Sequence, residues 1–213
     1  MTVRRALFQV HLWTGIAIGL YVLVISLSGS AIVWRRELDA ALCGRCEPHF
    51  LTWIVELHDH LLLGHDGIFW NGVGAIVVSL MCISGAVIWW PRRGQWWRRM
   101  SIRRGVSGQQ LIWDLHSMLG FWMFLLIVVW VITSVYFAFP ELFAWVGDDV
   151  LATMVRLHFG RAYGPIVRTL WVIFGLMPCA LFITGALMWW NRTLRPYLQG
   201  RFARMRSLRS ATD

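Results

Sequence analysis

Seven histidines are the residues in this chain best able to do chemistry, and four of them obey a repeat. Shifted by 100 residues, Leu57-His58 falls on Leu157-His158. Shifted by 105, His11-Leu-Trp-Thr-Gly15 falls on His116-Ser-Met-Leu-Gly120. An ionisable residue in an apolar helix is costly and points to a function by default. Its plain alternative is one interhelical hydrogen bond, and four histidines at two repeated positions favour metal or haem instead. Zinc or copper takes imidazole as readily, but a four-histidine cluster needs all four at one depth. Haem iron takes axial imidazoles in twos, and two pairs at two depths suit two bis-histidyl haems.

The elements that must position these histidines are also repeated. Ser84-Gly85 falls on Thr184-Gly185, Ile88-Trp89-Trp90 on Met188-Trp189-Trp190, and Arg92 on Arg192; Ser28-Gly29 falls on Thr133-Ser134. The chain reads as one transmembrane domain, 1–213, with repeats at 1–92 and 105–192 and a basic tail at 193–213. Parallel repeats in a membrane protein imply a pseudo-two-fold axis along the membrane normal, which turns equivalent residues toward each other.

With 58% hydrophobic residues and a mean hydropathy of +0.58, the composition excludes an ordinary soluble domain. Apolar stretches from Leu7 to Trp34, Ile68 to Trp90, Leu111 to Phe139 and Ile166 to Trp190 each reach the roughly 20 residues needed to span a bilayer. The fold class expected is therefore an all-α membrane protein of four transmembrane helices. The first stretch is too long, and lacks the cleavage site, for a signal peptide. Short interfacial helices carrying His58 (Trp53 to Leu63) and His158 (Leu151 to Phe159) are expected in the outer loops. Gly64 and Gly67 after the first, and Gly160, Gly164 and Pro165 after the second, predict a bend into the next span. At helical rise, His58 lies about 50 Å along the chain from Arg92, more than a membrane of about 40–45 Å. It therefore sits at the outer interface or is tucked back by the bend.

All 20 basic residues are arginine, and 14 lie at Arg4–Arg5, between Arg92 and Arg104, and from Arg192 to Arg209. The positive-inside rule puts both termini and the central loop in the cytoplasm. Net charge +9 then reflects orientation and anionic lipid, with no role for nucleic acid. The tryptophans at 89–90, 96–97 and 189–190 fit an interfacial aromatic belt.

In this frame His11 and His116 form an inner pair and His58 and His158 an outer pair. Ser28-Gly29 lies about 26 Å beyond His11, level with the outer pair, and Ser84-Gly85 and Thr184-Gly185 return to the inner level. These small residues either make room for a macrocycle or simply allow close packing. His49, His60 and His65 have no repeat mates; His60, two residues from His58, is the alternative outer ligand. Arg35, Arg36, Arg92, Arg168 and Arg192 lie near helix ends, where propionates or lipid headgroups are both within reach. Cys43-Gly-Arg-Cys46 is not a c-type haem motif, because residue 47 is glutamate. It reads as a short-loop disulfide, with a redox-active dithiol as the alternative.

The sequence resembles the PepSY-associated transmembrane family over essentially its whole length. The resemblance rests on His11-Leu-Trp-Thr-Gly15 with Ser28-Gly29, Asp114-Leu-His116 with Gly120, Leu157-His158-Phe-Gly160-Arg-Ala-Tyr-Gly164, and Thr184-Gly185 through Trp189-Trp190-Asn-Arg192. It implies a bacterial inner-membrane protein with two haems b held by His11, His116, His58 and His158. Such members include ferric-siderophore reductases that carry electrons across the membrane. Many relatives hold a folded domain between the first two helices. Here that loop is about 30 residues, which favours a minimal electron-carrying subunit serving a periplasmic or membrane partner, quinol among the donors. Whether it is itself an enzyme is left open. The alternative is a haem-free scaffold or accessory subunit of a larger complex. A transporter ranks last, since the spans lack acidic residues at mid-depth.

Overall fold

The computed structural model describes residues 3–42, 49–91, 95–160 and 164–201. Eight helices come first in chain order: α1 (Val3–Ile32), α2 (Arg35–Leu42), α3 (His49–His60), α4 (His65–Trp89), α5 (Trp96–Met100), α6 (Gly108–Ala138), α7 (Asp148–Phe159) and α8 (Gly164–Gly175). Then α9 (Met177–Trp189) runs into one π-helical turn, Trp190–Leu194. α1, α4, α6 and the stretch from Gly164 to Arg201 are long and apolar enough to cross a membrane. The protein is an all-α, multi-pass membrane protein.

The four spans close a ring in which α1 packs on α4, α4 on α6, α6 on α9 and α9 on α1. The buried apolar centre is Met123, Ile127 and Val131 of α6, spaced four residues apart so that they share one face. Val78 and Cys82 of α4 close over them from one side, and Phe174, Met177 and Leu181 from the other. Leu20 and Leu125 are among the large apolar residues on the outside, 66% and 75% exposed. That is what a lipid-facing surface requires, since lipid gives no reason to hide them.

The two halves use the same parts. α3 lies against α1 and α4, and α7 lies against α6. Each interfacial helix reverses at the predicted bend. In the first half Leu61, Leu62 and Gly64 take φ of 53°, 59° and 61°; in the second Gly160 and Gly164 take 61° and 81°. Glycine is needed at 160, where the left-handed backbone caps α7 and an added Cβ would lie 2.4 Å from the Trp171 ring. At 67 an added Cβ would fall 1.6 Å from the His60 carbonyl oxygen, so α4 starts in backbone contact with the end of α3.

Side chains at equivalent positions tie the interfacial helices down. Asn71 Nδ2 donates to the His58 carbonyl at 2.8 Å, and its oxygen accepts from the Tyr21 hydroxyl at 2.7 Å. One hundred residues on, Trp171 Nε1 donates to the Leu157 carbonyl at 2.8 Å.

The fourth span is not the uninterrupted helix the hydropathy implies. Pro178, at the start of α9, has no N–H to give to the Phe174 carbonyl, and beside it at the break the Gly175 carbonyl accepts from the Ser26 hydroxyl of α1. Ser30, one turn further, donates to the Val172 carbonyl at 3.4 Å. A neighbouring helix thus re-satisfies the interrupted backbone, as the bilayer interior demands.

Candidate functional site

The bundle has an arginine-rich end, where α1 begins and α4 and α9 finish, and a far end that bears α3 and α7. At the basic end, His11 on α1 and His116 on α6 lie within electrostatic reach of each other. His11 Nδ1 is 2.9 Å from Ser84 Oγ on α4, and His116 Nδ1 is 2.9 Å from Thr184 Oγ1 on α9. The adjoining glycines press on the ring edges: a Cβ on Gly85 would lie 3.2 Å from His11 Cε1, and one on Gly185 3.3 Å from His116 Cε1. Gly15 and Gly120, each one turn beyond its histidine, face Met81 and Leu181.

The far end repeats this with different helices. His58 on α3 has Nδ1 3.1 Å from Ser28 Oγ, and His158 on α7 has Nδ1 2.6 Å from Thr133 Oγ1. A Cβ on Gly29 would lie 2.7 Å from His58 Cε1. Ser28 is four residues short of the end of α1, so His58 is tucked back beside the span. His58 and His158 are near enough for the charge of one to act on the other. Burial pushes the His158 imidazole down to about 4, and His58 adds to that push. Burial lowers His58 too, against the opposing charge of Asp59 and a bond to the Ile25 carbonyl. Both rings are therefore neutral at pH 7, the form that ligates metal.

The hydroxyl partners bear on which ring nitrogen is left free. Each has a single proton, and each sits within bonding distance of a carbonyl of its own helix. Ser28 donates to Val24 at 2.6 Å, Thr133 to Val129 at 2.7 Å, Thr184 to Ala180 at 2.7 Å and Ser84 to Met81 at 3.0 Å. With that proton committed, the hydroxyl oxygen accepts from the imidazole Nδ1–H. A carbonyl, which can only accept, also acts on each ring: Met81, Ile25, Leu181 and Trp130. Nε2 is then the unprotonated nitrogen on all four rings, free to bind a metal while the other nitrogen is held.

These residues fit haem b. The donors are imidazoles that come in twos within electrostatic reach, each with Nδ1 beside a hydroxyl and small residues at the ring edges. Among the described residues no three His, Cys, Asp or Glu side chains gather to hold a bare metal ion.

The remaining sequence candidates fall elsewhere. His60 Nδ1 is 3.1 Å from Glu56, and His65 is exposed. Arg168 forks onto both Glu37 oxygens, 2.5 and 2.6 Å, and covers the Trp34 ring at 4.1 Å. Its charge is engaged within the far end. Arg192 lies over the Phe8 ring at 4.6 Å. Cys43 and Cys46, the side chain of His49, and Arg92 lie outside the described residues, as does the tail beyond 201.

Sequence reasoning treated the Ser and Thr residues as space-makers and missed their second role as partners to Nδ1. It also missed the ion pair beneath His116. Asp114, 4% exposed, accepts from Arg103 Nη2 at 2.7 Å and Nε at 3.0 Å, and from Gln110 at 3.0 Å. That carboxylate raises the pKa of the Arg103 guanidinium beyond its ordinary value. The repeat mate of Asp114 is Gln9, so self-comparison gave no signal there.

A comparison with curated proteins finds no match. The family model for the PepSY-associated TM region matches in three overlapping pieces, residues 8–49, 40–148 and 140–192, which together cover nearly the whole chain. The four histidines and their hydroxyl partners all fall inside those pieces. On that match, the chain belongs to the PepSY-associated transmembrane family.

Proposed function

We propose that this protein is a di-haem membrane cytochrome b, with His11 and His116 as axial ligands at the basic end and His58 and His158 at the far end. The observation that carries this reading is the repeated hydroxyl–Nδ1 bond, which leaves Nε2 free at all four positions. A histidine serving only as helix glue needs no such uniform choice of nitrogen. A haem held by such a pair of imidazoles would supply one-electron transfer rather than substrate chemistry at the iron.

The chain's own residues supply three things. Ser84, Thr184, Ser28 and Thr133 hold the rings in one tautomer and raise their basicity. Apolar packing keeps the rings neutral. The ring of spans carries one pair at each end, about 26 Å apart along α1 at helical rise, so the fold offers a route between the two faces. We place the protein in the bacterial inner membrane with the arginine-rich end in the cytoplasm. Electrons come from quinol or a cytoplasmic flavin and leave to a periplasmic acceptor, ferric siderophore being the candidate, with the chain acting as an electron-carrying subunit for a partner.

The test is a visible spectrum of the purified protein, expressed with haem supplied, before and after dithionite. A sharp reduced α-band supports the reading. A protein that folds as a helical membrane protein and shows none overturns it.

A further inference from the structure

Two repeat-equivalent indoles at the basic end each carry an N–H that the packing of the fold leaves unused. Trp89 Nε1 and Trp189 Nε1 are both buried, and neither has a hydrogen-bond partner among the described residues. A buried N–H without an acceptor costs about 1–3 kcal/mol, and the repeat makes the same expenditure twice. Interface anchoring does not account for it, because an anchoring indole turns its N–H to water or headgroups. Trp90 and Trp190, the next residue in each case, are 65% and 47% exposed and fit that role. Packing fixes the buried pair: Trp89 stacks on Phe121 with centroids 4.5 Å apart, and Trp189 meets Trp13 edge-on at 6.2 Å.

Their depth says what they face. Trp89 is five residues beyond Ser84, the partner of His11, and Trp189 five beyond Thr184, the partner of His116. Each tryptophan's backbone therefore lies roughly 7 Å further toward the basic end than that of the hydroxyl residue holding the imidazole. Ser117 Oγ, beside His116, is buried there without a partner too. The surroundings are cationic. Arg4 donates to the Ile88 carbonyl at 2.6 Å, Arg99 to the Trp89 carbonyl at 2.8 Å, and Arg192 lies over Phe8. A ligand that meets these groups would present two hydrogen-bond acceptors, be anionic, and match two repeat-equivalent donors.

We propose that Trp89 and Trp189 are positioning residues for the two propionates of the basic-end haem, each indole N–H donating to one carboxylate. This rests on the di-haem reading. Haem carries two equivalent carboxylates, so a haem held by His11 and His116 would bring two acceptors to donors that the repeat makes equivalent. Two equivalent donors then meet two equivalent acceptors. The arginines lower the cost of bringing both negative charges to this depth. A lipid phosphate shares part of this chemistry, and the experiment separates the two.

The experiment compares Trp89→Phe, Trp189→Phe and the double variant with Trp90→Phe and Trp190→Phe, all as haem-loaded full-length protein. Phenylalanine keeps a ring and removes the donor. Each buried-indole variant should retain the basic-end haem about tenfold more weakly, the equivalent of one lost charge-assisted hydrogen bond. Its midpoint potential should also move, and the potential's dependence on pH should change as the propionates titrate differently. The far-end haem and both exposed-indole controls should stay as in the parent. Unchanged haem retention and potential in the double variant would overturn the proposal. So would a shift that appears only in nanodiscs of anionic lipid and vanishes in zwitterionic lipid, since that assigns the donors to a headgroup. A parent with no reduced α-band fails the di-haem reading itself and takes this inference with it, whereas a banded parent with silent variants fails the inference alone.

Discussion

The two halves of the molecule place the same histidines with different degrees of constraint, and the first half is the tighter. In the first half α4 begins in backbone contact with α3, because residue 67 is glycine; its mate in the second half is Val167. Residue 29, against the His58 ring, is glycine, while its mate is Ser134, which donates to its own helix at Trp130. Asn71 ties α3 to α1 through Tyr21, whereas Trp171 ties α7 with one bond. The second half spends its constraint at the other end, on the buried Asp114 cluster. The imidazole–hydroxyl pair is kept at all four places in both halves, although the contacts that tie down the interfacial helices diverged.

Exchanging residues between the halves breaks the comparison most sharply. Gly67→Val, which copies the second half, should cost about 3 kcal/mol or more, because a Cβ at that site meets a backbone carbonyl and cannot be relieved by a rotamer change. Val167→Gly should cost only about 0.5 kcal/mol, the difference in helix propensity between valine and glycine. Thermal unfolding in detergent checks both, and equal losses would show that the halves are equally tight.

The hydroxyl partners come next. Ser28→Ala, Ser84→Ala, Thr133→Val and Thr184→Val should each weaken haem retention about 10–100-fold at their own end, the usual effect of removing a partner that orients a metal ligand. Thr133→Val should be the most severe, having the shortest bond at 2.6 Å. Haem transfer to apomyoglobin measures this, and a variant that loosens the opposite haem would contradict the pairing.

Gly29→Ser gives a smaller, local effect. The added atoms push the His58 ring, so the far-end haem should show a shifted potential, while Ser134→Gly leaves His158 undisturbed. Smallest of all, Asn71→Leu and Trp171→Phe should each cost about 1 kcal/mol, one net hydrogen bond. Proteolysis at 61–64 and near 160 would then report which interfacial helix loosens more, with the first expected to resist longer because Gly67 still holds it.

Much of this was legible in the chain. The four spans follow from length and apolarity, and the pairing follows from two offsets in the sequence. His58 had two expected places, and the bend at Leu61–Gly64 selects the tucked-back one. Contacts whose residue types changed between copies were not legible. Asn71 and Trp171 do the same job with an amide and an indole, so matching by identity passes over them. Pro178 marks a break, but its repair by Ser26 needs the packing of α1 on α8. The Trp-Trp pairs were visible and read as an aromatic belt. Only the structure separates the exposed member of each from the one whose N–H is buried.

The central claim is that the four histidines work as two independent pairs. It is tested most directly by haem content and reduced spectra of His11→Ala, His116→Ala, His58→Ala and His158→Ala side by side. The account predicts that His11→Ala and His116→Ala lose one and the same haem, that His58→Ala and His158→Ala lose the other, and that each variant keeps about half of the parent's absorbance. Loss of the same haem from His11→Ala and His58→Ala would contradict it, as would full haem content in any of the four.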